Sequence, residues 1–172
     1  MKATTAGEVV SLYLLTMTKK TWDNKGYMLV LVDLYTKFIA IFAYVDKKSA
    51  MQFVQTFVAS CANAFNVWVK CLHSDGEFKG HKDLDAMCAQ AGIIQEFSTA
   101  ETSQLKGEAQ RLMRTLVEAA RTLCKRGNVP AHLREQAMQY WEYVHNLTRE
   151  RCFRIRFPGR SLLWRTSDVL RR

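Results

Sequence analysis

The chain has 172 residues, 48% hydrophobic and 24% charged, with 25 Lys and Arg against 16 Asp and Glu for a net charge of +9. The length suits one ordinary domain, and the composition is that of a globular protein rather than a disordered one. No apolar run reaches the 18 or so residues of a spanning helix, and the polar start argues against a signal peptide, so we expect an intracellular protein.

Three strands are predicted in the first quarter of the chain. Val9–Leu15 is a short apolar strand, and a polar loop follows it. Tyr27–Val32 is a nearly continuous β-prone run of the kind found buried in a sheet, and a tight connection leads to Phe38–Val45. Three strands in close succession predict an antiparallel meander.

The remaining chain alternates helices with short strands. The predicted order β-β-β-α-β-α-β-α-α indicates an α/β fold, with a mixed central sheet of about five strands flanked by helices, and it fits the ribonuclease H-like architecture. The elements are a helix at 49–65, a strand that starts at Val67 and reaches a turn at Asp75-Gly76, a helix at 82–91 that ends at Gly92, a strand at 93–97, a helix at 104–126 and a last helix from Pro130 to about Asn146.

The C-terminal residues form a basic segment. From Arg149 onward, eight arginines against Glu150 and Asp168 supply +6 of the net charge. Clustered arginine neutralises phosphates and releases counterions, which indicates a polyanion partner; a merely solubilising tail is the alternative. We therefore divide the chain into a core domain at 1–148 and an Arg-rich tail at 149–172.

The five cysteines are an odd number without a C-x-x-C pair, and the four histidines do not lie at zinc-finger spacing. Buried free thiols in a reducing compartment are expected.

Four sequence blocks in order resemble the catalytic core of copia-type retrotransposon integrases, over roughly residues 9–147. The blocks are Asp33-Leu-Tyr-Thr-Lys-Phe38, His73-Ser-Asp-Gly-Glu-Phe78, Gly92-Ile93 with Ser98, and Thr102–Arg121, followed by Pro130, Trp141 and Asn146. The last block is similar to the family's T-P-Q-Q-N-G-x-A-E-R-x-N-R-T-L-x-E-x-A-R. The resemblance implies the ribonuclease H-like fold and a role in DNA integration.

In that family three carboxylates hold two Mg²⁺ or Mn²⁺ ions for phosphoryl transfer, since two ions about 3.5–4 Å apart need hard anionic ligands. The resemblance places Tyr13 at the first carboxylate position, Asp75 at the second and Gln110 at the third. One carboxylate of three remains, which implies impaired catalysis and weak or absent metal binding.

Glu108 is a candidate substitute for the third carboxylate. On a regular helix it lies about 160° from Gln110, so only a bulge or a later helix start would bring it into the site. Asp33 ends a strand, but a turn residue that bonds its own backbone is the simpler interpretation. Asp83 and Asp85 suit the first turn of a helix.

Two groups of basic residues suit a nucleic acid. One lies on the long helix and the other in the tail, where aromatic residues are interleaved. DNA, or alternatively RNA, is therefore the expected partner, in the nucleus if the substrate is chromosomal DNA; a charged face without a ligand and a homodimer are open alternatives. The residues are Arg111, Arg114, Arg121 and Lys125 on the helix, and Arg151, Arg154 and Arg156 in the tail.

Three hypotheses follow. The first is an integrase core by descent that binds nucleic acid without strand transfer. The second is an active polynucleotidyl transferase that uses Asp75, Glu108 and an unusual third ligand. The third is a non-enzymatic scaffold, derived from a transposon, that binds a nucleic acid or a protein.

Overall fold

Five strands form one mixed sheet in the computed structural model. It describes residues 3–17, 20–46, 49–97 and 103–153, without the side chains of 64, 77, 103–106, 108, 109 and 149–153. The strand order is β3-β2-β1-β4-β5; the first three strands are antiparallel, and β4 and β5 run parallel to β1. The strands are β1 (Val9–Thr16), β2 (Tyr27–Asp33), β3 (Ile39–Tyr44), β4 (Cys71–Ser74) and β5 (Ile94–Phe97).

Four helices cover the two faces of this sheet. Helices α1 and α2 pack on one face, and α3 and α4 pack on the other. This mixed five-stranded sheet flanked by helices confirms the predicted α/β class and is consistent with a ribonuclease H-like fold. The helices are α1 (Ala50–Phe65), α2 (Lys82–Ala91), α3 (Ser103–Arg126) and α4 (Arg134–Phe153), with 3₁₀ helices at Gly76–Phe78 and Ala131–Leu133.

The continuous apolar run of β2 reflects burial on both faces. Met28 and Val30 pack with α3 and α4, whereas Leu29 and Leu31 pack with α1. All four are fully buried. A strand between two layers of helices has no polar face, which is why its sequence does not alternate.

The predicted start of the fourth strand was wrong. The alternation of Val67 and Val69 predicted a strand from Val67 to the turn at Asp75-Gly76, but β4 begins at Cys71; its end at Ser74, just before that turn, is as predicted. The Val67 amide N–H instead donates to the Cys61 carbonyl oxygen at the end of α1, at 3.0 Å. The segment before β4 therefore completes a helix end, and the polar but buried His73 and Ser74 form the strand.

The observed helix boundaries are closer to the predicted ones. Helix α2 has the predicted bounds, with Asp83 and Asp85 in its first turn and Gly92 in the left-handed conformation at φ +66°. The last helix differs: a 3₁₀ turn follows Pro130, and α4 continues beyond Asn146 to Phe153. Within the described residues, no helix has the length and apolar character needed to cross a bilayer.

Among the described cysteines, those in the core are free and buried. Burial raises the pKa of the Cys61 thiol to about 12, and the charge of Asp33 acts in the same direction. Burial, with the charge of Glu96, likewise raises the pKa of Cys71 to about 12. Cys124 is partly exposed.

The buried thiols should react slowly, because the thiolate is the reacting form and burial disfavours it. In a Cys124→Ser/Cys152→Ser variant, we expect the remaining thiols to resist a disulfide reagent such as DTNB at pH 8 until denaturant is added. The readout is absorbance against time, with the denatured variant as the control for three reactive thiols. Rapid reaction of the native variant would contradict the buried placement.

Candidate functional site

The parallel pairing of β1 with β4 brings two of the three integrase-like positions together. Leu12 lies opposite Ser74 in the register, so Tyr13 and Asp75, the next residues along each chain, are neighbours. Asp75 directly follows the carboxyl end of β4, and Tyr13 lies in the second half of β1. The assignment of both residues to carboxylate positions of an integrase core remains a prediction.

The Tyr13 side chain reaches into a partly buried environment. Burial raises the pKa of its phenol, the nearby Ser11 side chain lowers it, and the negative charge of Asp75 raises it again. The hydroxyl oxygen is buried and makes no hydrogen bond of normal geometry with any described residue. A protonated phenol offers a metal ion neither the charge nor the basicity of a carboxylate.

A buried polar pair lies beside Tyr13 on the same sheet face. Ser11 and His73 are opposite each other in the β1–β4 register, and both are almost completely buried. Ser11 Oγ and His73 Nδ1 are 3.5 Å apart. Local sequence patterns do not reveal this pair, because Ser11 is a lone polar residue within an apolar strand and His73 stands out only as part of a motif.

Gln110 lies on α3, the helix that packs on the face carrying Tyr13. Its side chain is exposed, three residues before the buried Met113. The candidate substitute Glu108 also belongs to α3, but its side chain is outside the described part of the structure. The prediction that Glu108 leaves the helix on the opposite flank therefore remains a prediction.

The residues at the three integrase-like positions do not fit two divalent metal ions. A phenol, one carboxylate and an amide supply a single negative charge, whereas hard cations need several anionic oxygens. Among the described side chains, no three His, Cys, Asp or Glu residues form a group able to hold a metal ion. No catalytic step through such ions can be derived from these donors.

Asp33 serves the backbone instead. Its Oδ1 accepts the Gly7 amide N–H at 3.1 Å, and its Oδ2 accepts the Thr36 amide N–H at 2.9 Å and also the Thr36 hydroxyl. The Lys37 amide N–H donates to the Asp33 carbonyl oxygen at 2.8 Å, with Lys37 left-handed at φ +62°. The interpretation of Asp33 as a turn residue is confirmed.

The predicted basic residues of α3 face the solvent. Arg111, Arg114, Arg121 and Lys125 are all exposed, and the opposite side of the helix buries Leu116 and its neighbours. Arg114 and Lys125 are about 17 Å apart along the axis, which spans several phosphates of a nucleic acid backbone. Of the tail residues, Arg151 falls in α4 with its side chain outside the described part, and Arg154 and Arg156 lie outside the described residues altogether.

A comparison with known proteins points to a mobile genetic element. Over 155 residues the chain is 25% identical to the "Retrovirus-related Pol polyprotein from transposon TNT 1-94" of Nicotiana tabacum. The match covers 89% of this chain and 11% of that polyprotein. No protein-family profile matches the chain. The similarity supports a retrotransposon origin for the chain, which spans only a small part of the polyprotein it resembles.

Proposed function

We propose that the chain is an integrase core-like domain that binds nucleic acid and has lost strand-transfer chemistry. The observation that carries this proposal is that Tyr13 and Asp75 are neighbours, each following a residue of the Leu12–Ser74 pair across β1 and β4. This is where an integrase core would need two carboxylates, and only one is present. The similarity to a retrotransposon polyprotein supports the origin, and the donor set supports the loss of chemistry.

The proposed nucleic acid surface is the exposed basic side of α3, with the Arg-rich tail as a second contributor. Gln110 lies on the same side of the helix as Arg114, Arg121 and Lys125, within about 60° around the axis. A backbone held there would pass close to the degenerate site. Phosphate contacts of this kind supply affinity without sequence specificity.

The test combines an activity assay with a binding assay on short duplex DNA. With Mg²⁺ or Mn²⁺, we expect the unaltered chain to nick or join DNA no faster than its Asp75→Asn variant. We expect both proteins to retard the labelled duplex equally. Metal-dependent activity that Asp75→Asn removes would contradict the proposal and indicate an active transferase that uses Asp75 with Glu108.

The α3 surface leads to a salt-dependence prediction. For Arg114→Ala/Arg121→Ala we expect the slope of log K against log salt to become less negative by about two, one per lost phosphate contact. The measurement is fluorescence anisotropy of a labelled duplex over a salt series. Lys70→Ala, an exposed cation before β4, is the matched control and should leave the slope unchanged. An unchanged slope in the double variant would place the nucleic acid elsewhere.

A non-enzymatic scaffold that binds a protein partner is the second candidate. The observation that favours it is a group of exposed apolar residues on the outer side of α4: Tyr140 is 59% exposed, Tyr143 45% and Val144 38%. Deletion of residues 154–172, which leaves α4 entire, separates the two candidates. A scaffold would contact nucleic acid through its tail alone, so the deletion would abolish salt-dependent binding, whereas an integrase core-like domain would keep the part that the α3 side supplies.

A further inference from the structure

The outer edge of β3 is covered by side chains of α4 rather than by another strand. β3 is the last strand of the sheet, and its pairing with β2 uses the backbone groups of alternate residues. At Ile39, Asn146 Oδ1 accepts the amide N–H at 3.0 Å, and Asn146 Nδ2 donates to the carbonyl oxygen at 2.7 Å. At Ile41, Glu142 Oε1 accepts the amide N–H at 3.2 Å.

A third residue of α4 extends this contact beyond the strand. His145 Nε2 lies 3.0 Å from the Lys37 carbonyl oxygen, and its ring stacks on Trp141 with centroids 4.8 Å apart. Glu142, His145 and Asn146 thus bind the backbone of alternate residues 37, 39 and 41, and we call these three side chains the α4 clasp. Their spacing of three and four residues puts them on one side of the helix.

The clasp satisfies groups that would otherwise form an open strand edge. Glu142 and Asn146 are only 7% and 6% exposed, so water is largely excluded from these hydrogen bonds. An open edge strand is a template for pairing with another chain, and natural proteins protect such edges, in some cases with a helix. The α4 clasp is such a protection.

The sequence of β3 makes this protection necessary. Phe38–Val45 reads Phe-Ile-Ala-Ile-Phe-Ala-Tyr-Val, with no charge, proline or glycine. Apolar, uncharged β-prone segments of this length are the ones that stack between chains when they are exposed. None of the usual edge devices, such as an inward charge or a proline, occurs in β3 itself.

We propose that β3 is a self-pairing edge held closed by the α4 clasp, and that loss of the clasp lets β3 pair with β3 of a second copy of this chain. Antiparallel pairing of a strand with itself obeys twofold symmetry, so one segment supplies both sides of the contact. The outward backbone groups of Ile39 and Ile41 then bond to the second copy in place of Asn146 and Glu142.

The test measures mass by light scattering after size exclusion, over a range of protein concentrations. Asn146→Ala removes both contacts to Ile39, and we expect its mass to rise to at least twice that of the unaltered chain. Asn146→Ser removes the amide that reaches both backbone groups of Ile39 without introducing a charge, and is the milder second variant. Thr148→Ala, at an exposed α4 residue whose hydroxyl bonds only to carbonyl oxygens of its own helix, serves as the matched control, with an unchanged mass.

Amide hydrogen exchange identifies the surface involved. In the unaltered chain we expect the Ile39 and Ile41 amides to be protected, in dilute Asn146→Ala to exchange faster, and in its associated form to be protected again. Three results would overturn the proposal: a folded Asn146→Ala with unchanged mass, association that leaves both amides unprotected, or association abolished by Tyr140→Ser. If Asn146→Ala fails to fold, Asn146→Ser decides by the same criteria.

Discussion

A Tyr13→Asp/Gln110→Glu variant is expected to bind Mn²⁺ at least about tenfold more tightly than the unaltered chain, because affinity for a hard cation rises with the number of anionic ligands. The new carboxylate at 13 would lie beside Asp75, one residue beyond the Leu12–Ser74 pair of the β1–β4 register. Two neighbouring carboxylates repel each other when no cation lies between them. The metal-free variant should therefore be less stable than the unaltered chain.

The melting temperature of this variant gives a test that does not depend on catalysis. Mn²⁺ should raise the melting temperature of the variant, since a ligand that binds only the folded state stabilises it, and should leave the unaltered chain unchanged. With Mn²⁺ bound, we expect the variant to nick short duplex DNA and the unaltered chain to leave it intact.

Two controls make the result specific to the site. Tyr13→Asn/Gln110→Glu has nearly the same shape without the charge at 13 and should lose most of the Mn²⁺ effect. Adding Asp75→Asn to the restored variant should abolish it. An equal Mn²⁺ shift in the unaltered chain would refute the loss of the metal site, and a shift insensitive to Asp75→Asn would place the ion elsewhere.

Most of the fold could be predicted from local patterns. The apolar stripe of α3 and the stop at Gly92 gave helix bounds close to those observed, because amphipathic periodicity and a left-handed glycine are local properties. The start of the fourth strand could not be placed in this way. His73 and Ser74 are buried because Ser11 and the rest of β1 lie beside them, and that neighbour is distant in sequence.

The candidate site, too, was predictable only in part. The resemblance of motifs assigns Tyr13 and Asp75 to carboxylate positions of the integrase family, and the parallel pairing of β1 with β4 makes the two residues neighbours. The role of Asp33 followed from turn chemistry, although its bond to the Gly7 amide is a tertiary contact. The contacts of Glu142 and Asn146 with β3 join residues more than 100 positions apart, so no local pattern indicates them.

Glu142 should make the stability of the protein depend on pH. Burial raises the pKa of this carboxyl well above its usual value, and the Ile41 amide N–H, which donates to it, acts in the opposite direction. The folded chain therefore keeps the proton over a range of pH in which the unfolded chain has lost it. Glu142 contributes its full share to stability below the ordinary glutamate pKa, and this share is lost as pH rises through the raised pKa of the folded state.

Glu142→Gln removes this titration and keeps an oxygen for the Ile41 amide, so its free energy of unfolding should exceed that of the unaltered chain by an amount that grows as pH rises above the ordinary glutamate value. Urea unfolding at intervals from pH 4 to pH 8 measures the difference, from which titrations common to both proteins cancel.

Glu142→Ala leaves the buried amide without an acceptor and should lose about 1–3 kcal/mol relative to Glu142→Gln at every pH. A difference between the unaltered chain and Glu142→Gln that stays constant across this range would show that Glu142 is ionised in the fold. The α4 clasp would then hold a buried negative charge beside the Ile41 amide.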